Sequence, residues 1–229
     1  MIAINITATF LLCWFVVPYV LRRLQVAQLR RRCRELRAIV LTYDDGPGAR
    51  VTPRLHELLD SFGVSATFFP LGYKLEGAMS LSGRHELGSH SYRHLHAWKN
   101  SPMAVHEDID RGLASVSRLC ACTLFRPPHG KLTLATLVQV WARGCQMAWW
   151  TIDSSDTWPE PVPASRIIER IVREGGGVIL LHDHDRLKDR EREAYVIELT
   201  RSVLEFSRAE GFKVCKMSDV IGVGPAPSR

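Results

Sequence analysis

At 229 residues, with 46% apolar and 24% charged side chains, the chain has the composition of a globular protein and the length for one domain with a full core plus a terminal appendage. The formal net charge of +6 is local: seven arginines against one glutamate between Arg22 and Arg37 account for all of it. No broad basic face is left, which excludes nucleic acid as a partner, and the six cysteines show neither a CxxC pair nor a regular framework, so they read as free thiols.

Met1 to Leu21 carries no charged side chain and is about long enough to span a bilayer as a helix. Its positive charge follows the apolar run instead of preceding it, the reverse of an export signal. The expectation is an uncleaved transmembrane anchor over 1–21 and an arginine-rich juxtamembrane helix over 22–37 near anionic headgroups. The body of the protein is then expected on the cytoplasmic side, the extracytoplasmic side being the alternative.

From Ala38 onward, strand-like and helix-like segments alternate. A strand over Ile39–Tyr43 ends in Asp44-Asp45-Gly46-Pro47. A helix capped at Thr52-Pro53 runs on Leu55, Leu58, Leu59 and Phe62 to Gly63. Strands at Ser65–Phe69 and His85–Ser89 come next, then a helix opened by Ser101-Pro102, a strand at Leu124-Phe125 and a helix over Thr133–Arg143. The run Gln146–Ile152 is predicted as one strand, followed by a helix on Ile167 and Ile171 that stops at Gly175. Val178–Leu181 is a buried strand, Asp189–Glu210 a long charged helix, and Phe212–Cys215 a last strand before the tail 222–229.

Asp44 and Asp45, His90, Arg126, Asp153 with Asp156, and His182 each fall at or just after the carboxyl end of a predicted strand. In a parallel barrel those ends open on one face, where such folds do their chemistry. The fold expected for 38–221 is therefore α/β, a distorted or incomplete (β/α) barrel of about seven strands.

Asp45 with His90 and His94 supplies two imidazoles and a carboxylate, which leaves a tetrahedral divalent ion, zinc by preference, one open position. The two histidines are expected on one helical turn, four residues apart. His85 and His96 are off that spacing and read as ordinary polar residues. Adjacent Asp44 and Asp45 on an extended backbone point to opposite faces, so one can hold a metal while the other moves a proton. Arg126, fixed by Pro127 and Pro128, can hold a carboxylate ionised and oriented, and His182 beside Asp156 is biased toward its protonated form, as an acid requires.

Taken in order, TYDDGP, HSYRH, RPPHG, DSSDTW and LLH resemble the five motifs of the polysaccharide deacetylases of carbohydrate esterase family 4, the NodB homology group, over about Ile39 to Asp219. The resemblance implies a zinc-type hydrolase that removes acetyl groups from N-acetylated sugars, in a polymeric, oligomeric or lipid-linked glycan. It implies Asp44 as general base, Asp45, His90 and His94 as metal ligands, Arg126 as partner of the base, and His182 as general acid with Asp156 as its partner. The backbone N–H of His129 would face the oxyanion, with Leu180 and Trp158 against the acetyl methyl. Departures are His129 where an aromatic is common, Thr157 between Asp156 and Trp158, and Tyr43 for phenylalanine. A deformylase or deacylase of a lipid-borne sugar and a non-catalytic sugar-binding barrel are the alternatives.

Overall fold

The computed structural model describes Thr9 and residues 12–76, 83–186 and 190–221. The tail expected over 222–229 and most of the first eleven residues lie outside the described set. A π-helical turn, Leu12–Val16, leads into α1 (Val17–Leu36). Then follow β1 (Ala38–Asp44), α2 (Val51–Ser61), β2 (Thr67–Phe69), β3 (Glu86–Leu87), α3 (Pro102–Ser117), β4 (Leu124–Phe125), α4 (Leu134–Ala142), β5 (Gln146–Met147), β6 (Ile152–Asp153), α5 (Ala164–Glu174), β7 (Gly177–His182), α6 (Arg190–Glu210), β8 (Lys213–Cys215) and α7 (Met217–Ile221).

All strand pairings among the described residues are parallel. The order β3-β2-β1-β7-β6, with β8 beside the start of β1, forms one sheet. β4 and β5 form a second, joined to the first through a bridge between Ser89 and Phe125. The whole is an α/β arrangement consistent with a distorted barrel.

Side-chain alternation along the strands sorts the core into two layers. On β1, Ile39, Leu41 and Tyr43 point outward with Ile179 and Leu181 of β7 and pack under Leu55 and Leu59 of α2, Ile171 of α5 and Val203 of α6. Ala38 and Val40 point inward, with Val178, Phe69, Phe125 and Trp149. The inward column of β1 continues through Thr42 to Asp44, and that of β7 through Leu180 to His182, so the barrel's pleat delivers both polar groups to its mouth. Asp44 and His182 are paired neighbours in the register.

The expected anchor requires correction. No helix among the described residues is long and apolar enough to cross a membrane. The second half of the expected span turns into α1, which carries the arginines and packs on the domain. Its residues Val26, Leu29 and Cys33, at helical spacing, join the inner core, with Leu29 5% exposed and Cys33 fully buried. Gln25 Oε1 accepts from Trp149 Nε1 at 2.7 Å, and Arg34 Nε donates to the Glu174 carbonyl at 3.1 Å. Membrane attachment through an N-terminal helix, and the placement of the body relative to a membrane that rested on it, fall with that expectation.

Two local differences have physical causes. The run predicted as one strand from Gln146 to Ile152 is two short strands, because Ala148–Thr151 leaves the sheet and turns Trp149 into the inner core and against α1. Thr52 does not cap α2: its hydroxyl accepts from Gly48 N at 2.8 Å and donates to Asp183 Oδ2 at 2.6 Å, tying two loops of the mouth together. Ser101 and Thr133 do cap their helices, accepting from Ala104 N and Thr136 N.

Candidate active site

The mouth of the barrel gathers left-handed backbone. Asp45, Ser91, His94, His129 and Ser155 all have positive φ, between 57° and 68°. Each such residue costs on the order of 1–3 kcal/mol, and their concentration here is the mark of a functional site. The turn at Asp45 (φ 67°) swings its carboxylate back toward the interior, so the two aspartates do not diverge as an extended strand would have them. Asp45 Oδ1 and Asp44 Oδ2 both stand 3.6 Å from His90 Nε2.

His90 and His94 come together without a helix. They sit on the loop after β3, where Ser91 and His94 in left-handed conformations fold the chain back, and Ser91 Oγ accepts from His94 N at 3.1 Å. The loop is clamped from below by α3: Asp108 Oδ1 accepts from Arg93 N at 2.8 Å, and Gly112 lies so close that a Cβ there would meet the Ser91 carbonyl carbon at 2.3 Å.

Among the described residues, Asp45, His90 and His94 form one group whose ligand atoms all lie within 4.8 Å of one another. Asp45 Oδ1 is buried without a hydrogen-bond partner and faces the Nε2 atoms of His94 and His90 at 3.5 and 3.6 Å. An acceptor oxygen left orphaned between two imidazole nitrogens fits a cation, so the donor set suits a divalent metal. His90 Nδ1 lies 2.8 Å from the Arg126 carbonyl oxygen, which fixes the proton there and leaves Nε2 free as a ligand. Burial, and then the neighbouring His90, hold His94 down at about 3, in its neutral form. Burial alone would raise Asp45, but His90, His94, His182 and His184 outweigh it and hold the carboxylate at about 2.

Beside the triad, Asp44 Oδ1 accepts from the fully buried Arg126 guanidinium at 2.8 Å, and the same NH1 reaches Thr42 Oγ1 at 2.8 Å. On the next strand, His182 Nδ1 meets Asp156 Oδ1 at 2.9 Å, and His182 N donates to Asp156 Oδ2 at 3.0 Å. Burial disfavours charge on His182, but the Asp156 carboxylate, with Asp44 and Asp45 behind it, prevails and lifts the imidazole to about 9. Burial likewise opposes the Asp156 charge, and His182, Arg186 and Ser154 together hold that carboxyl below its ordinary range. Leu180 shares the His182 face of β7, and His129 packs against His94 with ring centroids 4.3 Å apart and planes tilted by 60°. Trp158 lies on the loop after β6, 60% exposed.

A second ring of residues, to which the sequence motifs assigned no role, surrounds these groups. Arg186 NH1 and NH2 donate to the carbonyl and Oδ2 of Asp156 at 2.6 and 3.2 Å, and its Nε reaches His184 Nε2 at 3.3 Å. Because a guanidinium only donates, that contact puts the His184 proton on Nδ1, which faces Asp45 Oδ2 at 3.9 Å. Lys74 Nζ holds the Asp45 carbonyl at 2.7 Å. Asp183 is fully buried and pushed up to about 7 by that burial, Thr52 counteracting. The run His182-Asp183-His184-Asp185-Arg186 after a strand end was the available signal. His96, set aside with His85, extends this cluster of rings through His129, with centroids 4.8 Å apart.

A two-histidine, one-carboxylate group at the carboxyl mouth of a parallel barrel, with a buried acid–arginine pair on one side and a carboxylate-backed histidine on the other, defines a metal-dependent hydrolase. The sequence model of the polysaccharide deacetylase family matches residues 31–148, just over half of the chain, and the chain belongs to that family. It is 28% identical over 193 residues to the peptidoglycan-N-acetylglucosamine deacetylase of Bacillus cereus, covering 80% of this chain and 87% of that protein. Against the chitooligosaccharide deacetylase of a Bradyrhizobium strain it is 29% identical over 157 residues, 64% of this chain and 71% of the other. Among solved structures, a CE4-family pseudoenzyme from Bacillus anthracis matches with a TM-score of 0.69 at 19% identity, over 82% of this chain and 66% of that one. At that identity the likeness is one of fold, and the triad supplies the chemistry. Triad and family together make this chain a metal-dependent deacetylase acting on the C–N bond of an N-acetylated sugar.

Proposed function

We propose that the resident ion is zinc, that Asp44 works as general base and His182 as general acid on the acetamide, and that the substrate is a glycan bearing N-acetylglucosamine, as the name of the Bacillus cereus relative suggests. The observation that carries the assignment is the register of β1 and β7. It seats Asp44 and His182 side by side, each backed by its own partner, Arg126 and Asp156, with the triad in front of them.

Bound by Asp45, His90 and His94, the ion would supply Lewis-acid polarisation of the acetyl carbonyl and of the attacking water. Asp44, oriented through Oδ1 by Arg126, accepts the water's proton on Oδ2. The His129 N–H, on a backbone set at φ 57°, donates to the oxygen that gains charge as the carbonyl carbon becomes tetrahedral. His182 then donates from Nε2 to the departing sugar nitrogen, its Nδ1–H held by Asp156, so acetate and free amine leave. Leu180, on the His182 face of β7, and Trp158 flank the acetyl methyl.

Acetate release from N-acetylated chitooligosaccharides, measured with added zinc and after chelation, tests this reading. Release that zinc restores and chelation abolishes is expected. Release indifferent to chelation would remove the triad from the reaction.

A further inference from the structure

Where β5 and β6 do not pair, α1 lies across the opening, and between α1 and α5 it leaves a cleft of about 350 Å³. Its charged lining is Arg22, Arg23 and Arg30 from α1, Arg170 from α5 and Asp153 from the end of β6, with Trp150 as an aromatic wall. Arg30 and Arg170 share Glu174, at 3.5 and 2.9 Å. Arg22 and Arg23 pair with no carboxylate among the described residues. Four guanidinium groups thus face two carboxylates, a surplus of two positive charges. Arg22 is pre-set: NH1 donates to the Gly130 carbonyl at 3.0 Å while its guanidinium lies 4.9 and 5.4 Å from the Trp149 and Trp150 rings. A planar donor group fixed in this way loses little freedom on taking up an oxyanion. Half-burial without an acid, with Arg23 next to it, lowers the Arg22 pKa, the sign of a cation that an added anion would favour.

The cleft adjoins the reaction site. Gly130, which Arg22 holds, follows His129, whose ring packs against that of the metal ligand His94, and Asp153 stands three residues before Asp156. Arg22, Arg23 and Arg30 lie outside residues 31–148, the span over which the family's sequence model matches.

We propose that this arginine cleft is a substrate subsite for a phosphate group carried by the N-acetylated glycan, one or more sugar units from the acetamide being cleaved. A phosphate monoester dianion matches the surplus charge, whereas a uronate or other carboxylate would leave half of it uncompensated. Asp153, whose Oδ1 already accepts from Ser155 N at 2.8 Å, is left to receive a sugar hydroxyl beside the phosphate. The inference deepens the deacetylase reading, but phosphate binding by the cleft can be measured whether or not turnover is seen.

Calorimetric titration of the full chain with inorganic phosphate, pyrophosphate and glucuronate, zinc-loaded and again after chelation, is the direct test. Arg23→Gln is the main variant because Arg23 is exposed. Arg22→Gln, whose ring packing could cost folding, is read only with its melting curve, and Arg31→Gln, outside the cleft and paired with Glu35, is the charge-matched control. Phosphate binding that survives chelation, weakens about tenfold in Arg23→Gln and is unchanged in Arg31→Gln is expected. The kinetic arm compares kcat/KM for a phosphorylated and a neutral N-acetylated oligosaccharide, and Arg23→Gln should lower that ratio about tenfold. Binding that disappears on chelation would place the phosphate at the triad and overturn the proposal. So would equal weakening in Arg31→Gln, tighter binding of glucuronate than of phosphate, or an unchanged ratio.

Discussion

Replacing Asp156 by asparagine keeps the side-chain shape but removes the charge that holds His182 protonated. In the intact site the imidazole is lifted from its ordinary 6.5 to about 9, against burial, by a carboxylate 2.9 Å from Nδ1. That difference favours the imidazolium by on the order of 3 kcal/mol. The positive charge of a bound ion opposes it, so the alkaline limb of kcat/KM lies at or below about 9. With Asp156 gone, burial dominates and the group falls to its ordinary value or under it. The alkaline limb then moves down by roughly two pH units, and at about pH 8 kcat/KM drops ten- to a hundredfold, with the deficit narrowing toward about pH 6. The same sign governs stability. A raised pKa stabilises the fold fully below the unfolded value of 6.5 and loses that contribution as pH climbs through about 9, so the melting temperature should decline over this window in the wild type and less in Asp156→Asn. A pH–rate series of both proteins on one chitooligosaccharide decides the matter: a uniform loss at every pH, with the limb unmoved, would refute the acid assignment.

In equilibrium zinc competition, Asp45→Asn and His94→Ala should bind the ion at least tenfold more weakly, whereas Asp44→Asn should keep it and lose roughly 10²–10⁴ in kcat. If Asp44→Asn loses the ion instead, base and ligand are interchanged. Arg126→Met strands the buried Asp44 carboxylate and should cost about 3–5 kcal/mol in denaturant unfolding, part of which the double change with Asp44→Asn restores. Gly112→Ala drives a methyl group to 2.3 Å from the Ser91 carbonyl carbon, so it should weaken zinc binding through a helix that supplies none of the three ligands; unchanged affinity would detach α3 from the site. Leu29→Ala should lower stability by about 2–5 kcal/mol if α1 is part of the core, and a change under about 0.5 would show that the helix packs elsewhere.

Much of this was legible because alternation in a parallel barrel is unforgiving. A residue two past Val40 and four past it must share its face, so Thr42 and Asp44 follow inward, and Leu180 and His182 follow Val178 by the same rule. The helix start at Ser101-Pro102 was equally local. What escaped the sequence was set by contacts far along the chain. The His90–His94 spacing suggested a helical turn, yet the pair converges through left-handed Ser91 and His94 on a loop clamped by Asp108 and Gly112 of α3. Thr52 looked like a cap because of Pro53, but Asp183 claims its hydroxyl. The charged run after β7 marked Arg186 and His184 as polar, but their partners became visible only once β6 and β7 brought Asp156 beside them. The apolar start and its arginines matched the pattern of an anchor. Yet Val26, Leu29 and Cys33 are what close the barrel's open side, a role that shows only against Trp149 and Val178.

Anomalous diffraction at the zinc edge from crystals grown with zinc tests the central claim most directly. A single ion bound by an Asp45 carboxylate oxygen and by Nε2 of His90 and of His94, with Asp44 unligated beside it, is the expected result. An ion held by Asp44 in place of Asp45, or no ion at the triad while the protein still releases acetate, would contradict it.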